Sequence, residues 1–244
     1  MEIDEVPLKK IDLYVMRYLI FVIKKITMRK YFLAGIFGLA FASCSKERVR
    51  GSGAISTEQR TVSDFSHVFV SGATDVHITQ GSTLDVKVKA YDNLLPYLET
   101  KSANGTLTIA YRSNSNISND NSEVFITMPV LAGLSTNGSG NINTSGSFEG
   151  GDQFTLSIAG SGDITIEGGN AGNLKIDISG SGNVKSFGFL VQKADVDIKG
   201  SGDASVHVTQ DLKVSINGSG SVYYKGNPPV VNSQISGSGK LVAQ

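Results

Sequence analysis

The sequence holds one cysteine, no tryptophan and only 5 prolines in 244 residues. A lone cysteine, Cys44, excludes an intrachain disulfide and leaves the usual zinc and Cys–His nucleophile patterns without their residues. Neither sign of charge dominates: 22 Lys and Arg stand against 22 Asp and Glu. The first 44 residues hold 7 basic and 4 acidic side chains, which leaves 15 basic and 18 acidic ones, a net charge of −3, for the rest. A weakly acidic chain lacks the basic footprint that a phosphate backbone requires, so nucleic acid is excluded as a partner. Against the few prolines stand 28 glycines, and they are patterned, unlike those of a flexible linker. About 200 residues beyond the leader suffice to bury a continuous core without cross-links.

Residues 28–44 read MRKYFLAGIFGLAFASC. Arg29 and Lys30 form a positive start. Tyr31 to Phe41 form an apolar stretch of signal-peptide length, too short to span a bilayer. Small Ala42 and Ser43 precede Cys44, and polar Ser45, Lys46 and Glu47 follow. This run resembles a bacterial lipobox, in which the cysteine is lipidated and becomes the mature N-terminus. Phe41 departs from it, because an aliphatic residue is usual there. The reading predicts a leader over 1–44, with a signal peptide at 28–43 and a lipid anchor on Cys44. A buried free cysteine behind an uncleaved anchor is the alternative. A second apolar run, Tyr18 to Ile23, lies upstream between Arg17 and Lys24-Lys25, and Met28 is the expected start of translation. Residues 45–59 are expected to form a tether and a first coil. The Lys46-Glu47 pair partly resembles the surface-export signals of Bacteroidetes lipoproteins.

Gly-Ser-Gly recurs with its first glycine at 138, 160, 180, 200, 218 and 237, at spacings of 22, 20, 20, 18 and 19 residues. The flanks align as well. Six, four and two residues before the glycine stand Phe154/Leu156/Ile158, Leu174/Ile176/Ile178, Ala194/Val196/Ile198 and Leu212/Val214/Ile216. Four and six residues after it stand Ile142/Thr144, Ile164/Ile166, Val184/Ser186, Ala204/Val206 and Val222/Tyr224. Polar residues such as Lys175, Asp177, Asp195, Asp197, Lys213 and Ser215 lie between them. This period of two on both sides of a turn predicts two short half-buried strands per copy. The glycines allow a positive φ at the bend. Such a unit cannot bury a core alone, so copies must stack. The prediction is an all-β fold, a right-handed parallel β-helix with coils of about 20 residues over 131–244. A meander of hairpins is the rival.

Residues 60–130 carry the signature in degraded form. Val68 and Val70 precede Gly72, and Val76 and Ile78 follow it. Gly51-Ser52-Gly53, with Ile55 four residues on, places the first coil near residue 51. Residues 91–103 break the pattern as a short helical or irregular insert, the polar run 112–122 reads as an exposed loop, and a soft boundary falls near 130. The residues FSHVFVSGATDVHITQG (65–81), LDVKVKAYDNLLPYLETKSANGTLTIAY (84–111) and the serial GSGNI, GSGDI and GSGNV turns resemble the head GIN domain family of auto-transporter adhesins, common among Bacteroidetes lipoproteins. The resemblance covers about 60–244. It implies a right-handed β-helical fold and an adhesin-like role.

Candidate chemistry is sparse. His67, His77 and His207 have the parity of exposed strand residues, although His77 and Asp75 share a strand face and could form an acid–base or metal pair. The residue after each corner is Asn141, Asp163, Asn183, Asp203, Ser221 and Lys240, with Asp75 in the degenerate copy. Stacked, these form a ladder that could bind a cation or a sugar, or could simply serve turn chemistry. The serines Ser139, Ser161, Ser181, Ser201, Ser219 and Ser238 are read as filling a small-residue corner, flat and polar enough to meet an extended polymer. No histidine stands at matching spacing, so nucleophilic catalysis has no support. The expectation is a non-enzymatic cell-envelope lipoprotein at the outer membrane, periplasmic or surface-facing, with no cofactor or metal. It would be an adhesin-like or scaffold module with a glycan or protein partner, and could form homo-oligomers through the solenoid ends. A polysaccharide-cleaving lyase or glycosidase on a β-helix is the alternative.

Overall fold

Side chains that alternate apolar and polar must point to opposite faces of an extended strand. In Gln153–Gly160, Phe154, Leu156 and Ile158 are buried while Thr155 and Ser157 face outward. The computed structural model describes residues 47–244, together with Arg17, Tyr18 and Phe21; the signal peptide expected at 28–43 and Cys44 lie outside the described residues. The strands are β1 (Glu47–Arg50), β2 (Ile55–Gln59), β3 (His67–Gly72), β4 (Asp75–Gln80), β5 (Asp85–Tyr91), β6 (Leu98–Ala103), β7 (Thr106–Tyr111), β8 (Ser115–Ser118) and β9 (Glu123–Met128). They continue as β10 (Gly133–Gly138), β11 (Ile142–Glu149), β12 (Gln153–Gly160), β13 (Ile164–Gly180), β14 (Val184–Gly200), β15 (Ala204–Gly218), β16 (Ser221–Lys225), β17 (Val230–Gly237) and β18 (Lys240–Ala243).

They wind into a β-solenoid of about six turns. Each turn but that of β7 and β9, which are joined through residues 112–122, brings one strand to a glycine corner and takes another away, so two parallel ladders meet along the line of corners. The approaching ladder runs β7, β3, β10, β12, the later halves of β13, β14 and β15, then β17. The departing ladder runs β9, β4, β11, the earlier halves of β13, β14 and β15, then β16 and β18. Register holds in the stretches that flank the corners, and bulges shift it between Thr144 and Ser147, between Ser186 and Leu190 and between Val191 and Lys193. Val70, Thr136, Ile158, Ile178, Ile198, Ile216 and Ile235 follow one another across the approaching ladder. The hairpin rival is thereby excluded for the repeat.

From β10 onward the turns stack in chain order. Before β10 they do not. The turn made by β7 and β9 lies outside the one made by β3 and β4, although it comes later in the chain. The first coil expected near residue 51 is also absent: β2 runs antiparallel to β5, and Gly51 is buried against Tyr91 and Leu94 instead of forming a corner. The supposed loop 112–122 contains β8, which pairs with β1.

The physical reason is that a stack of parallel strands must end, and its end exposes both strand edges and core. Here β5 lies antiparallel on β9, and β6 antiparallel on β7, so both ladders are closed. The insert supplies the plug. Residues 92–97 form tight turns, then β6 begins, and Leu94, Leu95 and Leu98 are buried. One core runs from Phe65 to Val222, so the change near residue 130 is a change of stacking order within the unit Glu47–Gln244. Phe148, Phe154 and Phe189 are completely buried in it, with the last two rings 4.8 Å apart.

Candidate functional site

The corner is built from glycines with two different duties. Gly180 has φ of 136°, a conformation that a side chain rarely adopts. Gly182 has no such φ, but a Cβ there would lie 2.1 Å from the Gly162 carbonyl oxygen of the preceding turn. The first glycine therefore serves both the bend and close approach, since a Cβ on Gly180 would also lie 2.1 Å from the Gly160 carbonyl oxygen, and the second serves close approach alone. The Ser181 and Gly182 N–H groups both donate to the Gly160 carbonyl, at 2.8 and 3.2 Å. Ser181 itself is exposed, as are Ser139, Ser161, Ser201, Ser219 and Ser238. The expectation that these serines fill the corner is corrected: the glycines fill it, and the serines form a polar line along its outside.

The residue after each corner does assemble into a ladder, and the bonds run between turns rather than within one. Asp75 Oδ1 accepts the Asn141 N–H and Nδ2–H, both at 2.9 Å. Asn141 Oδ1 accepts the Asp163 N–H at 3.0 Å. Asp163 Oδ1 accepts the Asn183 N–H at 2.8 Å and Nδ2–H at 2.9 Å. Asn183 Oδ1 accepts the Asp203 N–H at 2.9 Å, and Asp203 Oδ1 the Ser221 N–H at 2.7 Å. Aspartate and asparagine alternate, which keeps carboxylates two strands, or ~10 Å, apart. An aspartate at every rung would set like charges ~4.8 Å apart. Burial pushes the Asp163 carboxyl up, but the Asn183 N–H and Lys185, 3.1 Å from Oδ2, hold it below the usual carboxylate range.

The Asp75–His77 pair is not assembled. Asp75 is occupied by Asn141, whereas His77 Nε2 lies 3.7 Å from Glu123 and its ring stacks on Phe125 with centroids 5.1 Å apart. Lys89, 2.7 Å from Glu123, is the main reason that carboxyl sits below its ordinary value. His67 is exposed, and His207 lies beside Leu190 in register. Among the described residues no group of three or more His, Cys, Asp or Glu side chains is placed to hold a metal ion.

A second polar row runs along the outer face of the approaching ladder: Thr155, Lys175, Asp195, Lys213 and Asn232 are in register. Lys213 bridges to Asp195 at 3.0 Å, and Lys175 to Asp177 at 3.0 Å. Lys175, Asp195, Lys213 and Asn232 of this row, with Asn173 and Lys193, line a shallow groove of about 340 Å³. This surface was not singled out from the sequence. Its signal was the position five residues before the first glycine in three successive copies, where Lys175, Asp195 and Lys213 alternate in charge.

Residues 64–228 match the family described as "Putative auto-transporter adhesin, head GIN domain". Curated proteins give no match to the chain. A "putative adhesin" from Bacteroides fragilis superimposes with a TM-score of 0.66 at 19% identity, over 80% of this chain and 100% of that one. A "putative adhesin" from Parabacteroides merdae gives 0.53 at 22% identity, over 81% and 99%. A "putative lipid binding protein" from Parabacteroides distasonis gives 0.50 at 28% identity, over 81% and 100%. The family match spans the capped end and most of the corner repeat, and the chain belongs to the head GIN domain family.

Proposed function

We propose that the chain is a lipid-anchored, adhesin-like module of the outer membrane that holds a glycan or protein partner against its flat polar surface and performs no chemistry on it. The observation that carries this reading is the exposed serine line, with one hydroxyl per turn at each Gly-Ser-Gly corner and charged rows beside it at strand spacing. An extended polymer with its own repeat meets such a surface through many weak, equivalent bonds, which add up by multivalency. The family supports the adhesin-like role, and the lipobox-like run supports an anchor at Cys44. The name of the Parabacteroides distasonis relative suggests a lipid ligand. Here the interior is filled by Phe148, Phe154 and Phe189, so lipid contact belongs to the anchor rather than to the core.

The polysaccharide-cleaving alternative would use Asp163 and Asp203, which stand about two strand spacings apart, near the separation of inverting glycosidases. Each already accepts an N–H of the next turn through Oδ1, and Asp163 Oδ2 is taken by Lys185. A glycan array separates the two readings. Wild-type chain is expected to bind extended polysaccharides and release no reducing or unsaturated ends. The Ser181→Glu/Ser201→Glu variant is expected to fold and lose that binding at least tenfold. Equal binding by the variant, or sustained release of new ends, would overturn the proposal. Protease accessibility on intact cells distinguishes a periplasmic from a surface-facing module, and loss of labelled fatty acid in Cys44→Ala tests the anchor.

A further inference from the structure

The two ends of the solenoid are built in opposite ways. At the first, antiparallel strands cover the ladders, and their outer members carry charge: Glu58 in β2, Glu99 and Lys101 in β6. Charged and antiparallel covers are the devices by which sheets refuse a neighbour. At the second end, β17 bonds only to β15 and β18 only to β16 among the described residues. Val231 and Ile235 continue the inward columns of Leu212 and Ile216, yet each is 39% exposed, with no strand among the described residues paired to the outer edge of β17. The whole of β17 is exposed, and its sequence, VVNSQISG, holds no charged side chain. Within 226–244 the one charged side chain is Lys240.

The geometry points to a second copy of this chain as the occupant of that end, with the two β17 strands paired antiparallel about a two-fold axis. The sequence of β17 is complementary to itself in that arrangement. With Ser233 opposite Ser233, Val231 of each copy faces Ile235 of the other, so both inward columns become continuous. Asn232 then faces Gln234 on the outside, amide to amide. A strand without charge meets its own copy with no like-charge pair. Shifting the register by one residue would set Val231 against Gln234 and lose the match. Pro228 and Pro229, which lack an N–H, stand just before β17 and confine pairing to 230–237. The terminal turn, 226–244, offers 19 residues, close to the ~20–30 residues a side of a stable interface. A two-fold, isologous contact also closes on itself, so the product is a dimer and not a filament.

The test uses the full chain in mild detergent with Cys44→Ser, so that any introduced thiol is the only one. Opposed residues of antiparallel strands have Cα atoms about 4.5–5.5 Å apart, within disulfide range. Ser233→Cys is expected to cross-link to a dimer on mild oxidation, at least tenfold faster than Ser181→Cys, whose serine lies on the exposed corner. Adding Val231→Lys and Ile235→Lys is expected to abolish that cross-link with the circular dichroism spectrum unchanged. Sedimentation of the Cys44→Ser parent at tens of micromolar is expected to give a dimer, and of the lysine variant a monomer. A parent that sediments as a monomer, or Ser233→Cys linking no faster than Ser181→Cys, would overturn the assignment. Glycan binding is read separately, so either proposal can fail without the other.

Discussion

A methyl group added at residue 182 would sit 2.1 Å from the Gly162 carbonyl oxygen, and its neighbour there is backbone that cannot swing aside. Forcing atoms into such a site typically costs about 1–3 kcal/mol. Gly182→Ala is therefore expected to lower the thermal midpoint by roughly 2–12 °C, at about 2–4 °C per kcal/mol for a domain of this size. Ser181→Ala, one residue away but exposed, should change stability by less than about 0.5 kcal/mol. Thermal unfolding followed by circular dichroism compares them; an equal loss in both would mean that the corner tolerates side chains. The ladder beside the corner responds to charge. Asn183→Asp would place a third carboxylate between Asp163 and Asp203 and remove the Nδ2 donor to Asp163. The new carboxyl, repelled from both sides, has its folded pKa raised, so its penalty is present at neutral pH and relieved as pH falls through that value. Asp163 in the wild type works the other way. Its carboxyl is held low, so its contribution is present above the unfolded value and lost as pH falls through the folded one. The gap in midpoint between Asn183→Asp and wild type is thus expected to be widest near pH 7 and to narrow towards pH 4. A gap that stays constant with pH would mean that the lost amide donor, not repulsion, sets the cost.

At the scale of elements, the cap is the part whose failure should be visible. Leu98 begins β6 and is buried at the closed end with Leu94 and Leu95. Leu98→Asp buries an unpaired carboxylate and is expected to loosen β6 from β7, at a cost of several kcal/mol. With the edge of β7 uncovered, soluble aggregates should appear by light scattering well below the unfolding temperature. A variant that melts lower but stays monodisperse would assign the cap to stability alone. The cap is also where the sequence was hardest to read. Alternation in Leu84/Val86/Val88 and in Leu107/Ile109 marks strands, but period two is the same for parallel and antiparallel pairing. Nothing in those residues says that β9 will insert between β4 and β5, because that depends on which partner offers a free edge. The corner repeat was legible for the opposite reason. Its register is written into the chain by glycines that tolerate no side chain, so the columns through Ile158, Ile178, Ile198 and Ile216 follow from counting. The ladder was half legible. The positions of Asn141, Asp163, Asn183 and Asp203 were plain, but a bond to the next turn and a bond to their own turn use the same residue types.

For the whole molecule, the repeat makes length a variable that the core does not set. Each inner turn contacts only its two neighbours, so stability is a sum of nearly equal nearest-neighbour terms. Duplicating residues 181–200 inserts one complete turn between Gly200 and Ser201. Gly200 of the original copy then lies beneath Gly200 of the duplicate, Ile198 beneath Ile198, and the added Asn183 continues the ladder with no two aspartates adjacent in it, while Asp195 and Asp197 each come to lie beneath their own copies on the exposed outer face. The longer chain is expected to fold, to extend by one strand spacing, about 4.8 Å, in small-angle scattering, and to unfold with a denaturant slope larger in proportion to the added surface. Inserting only residues 181–190 is the control. Half a turn carries the chain to the wrong side of the stack, so every inward column below it would be broken and the product should unfold or aggregate. If both insertions fold equally well, the turns are not held in register by their corners, and the solenoid owes its order to the cap instead.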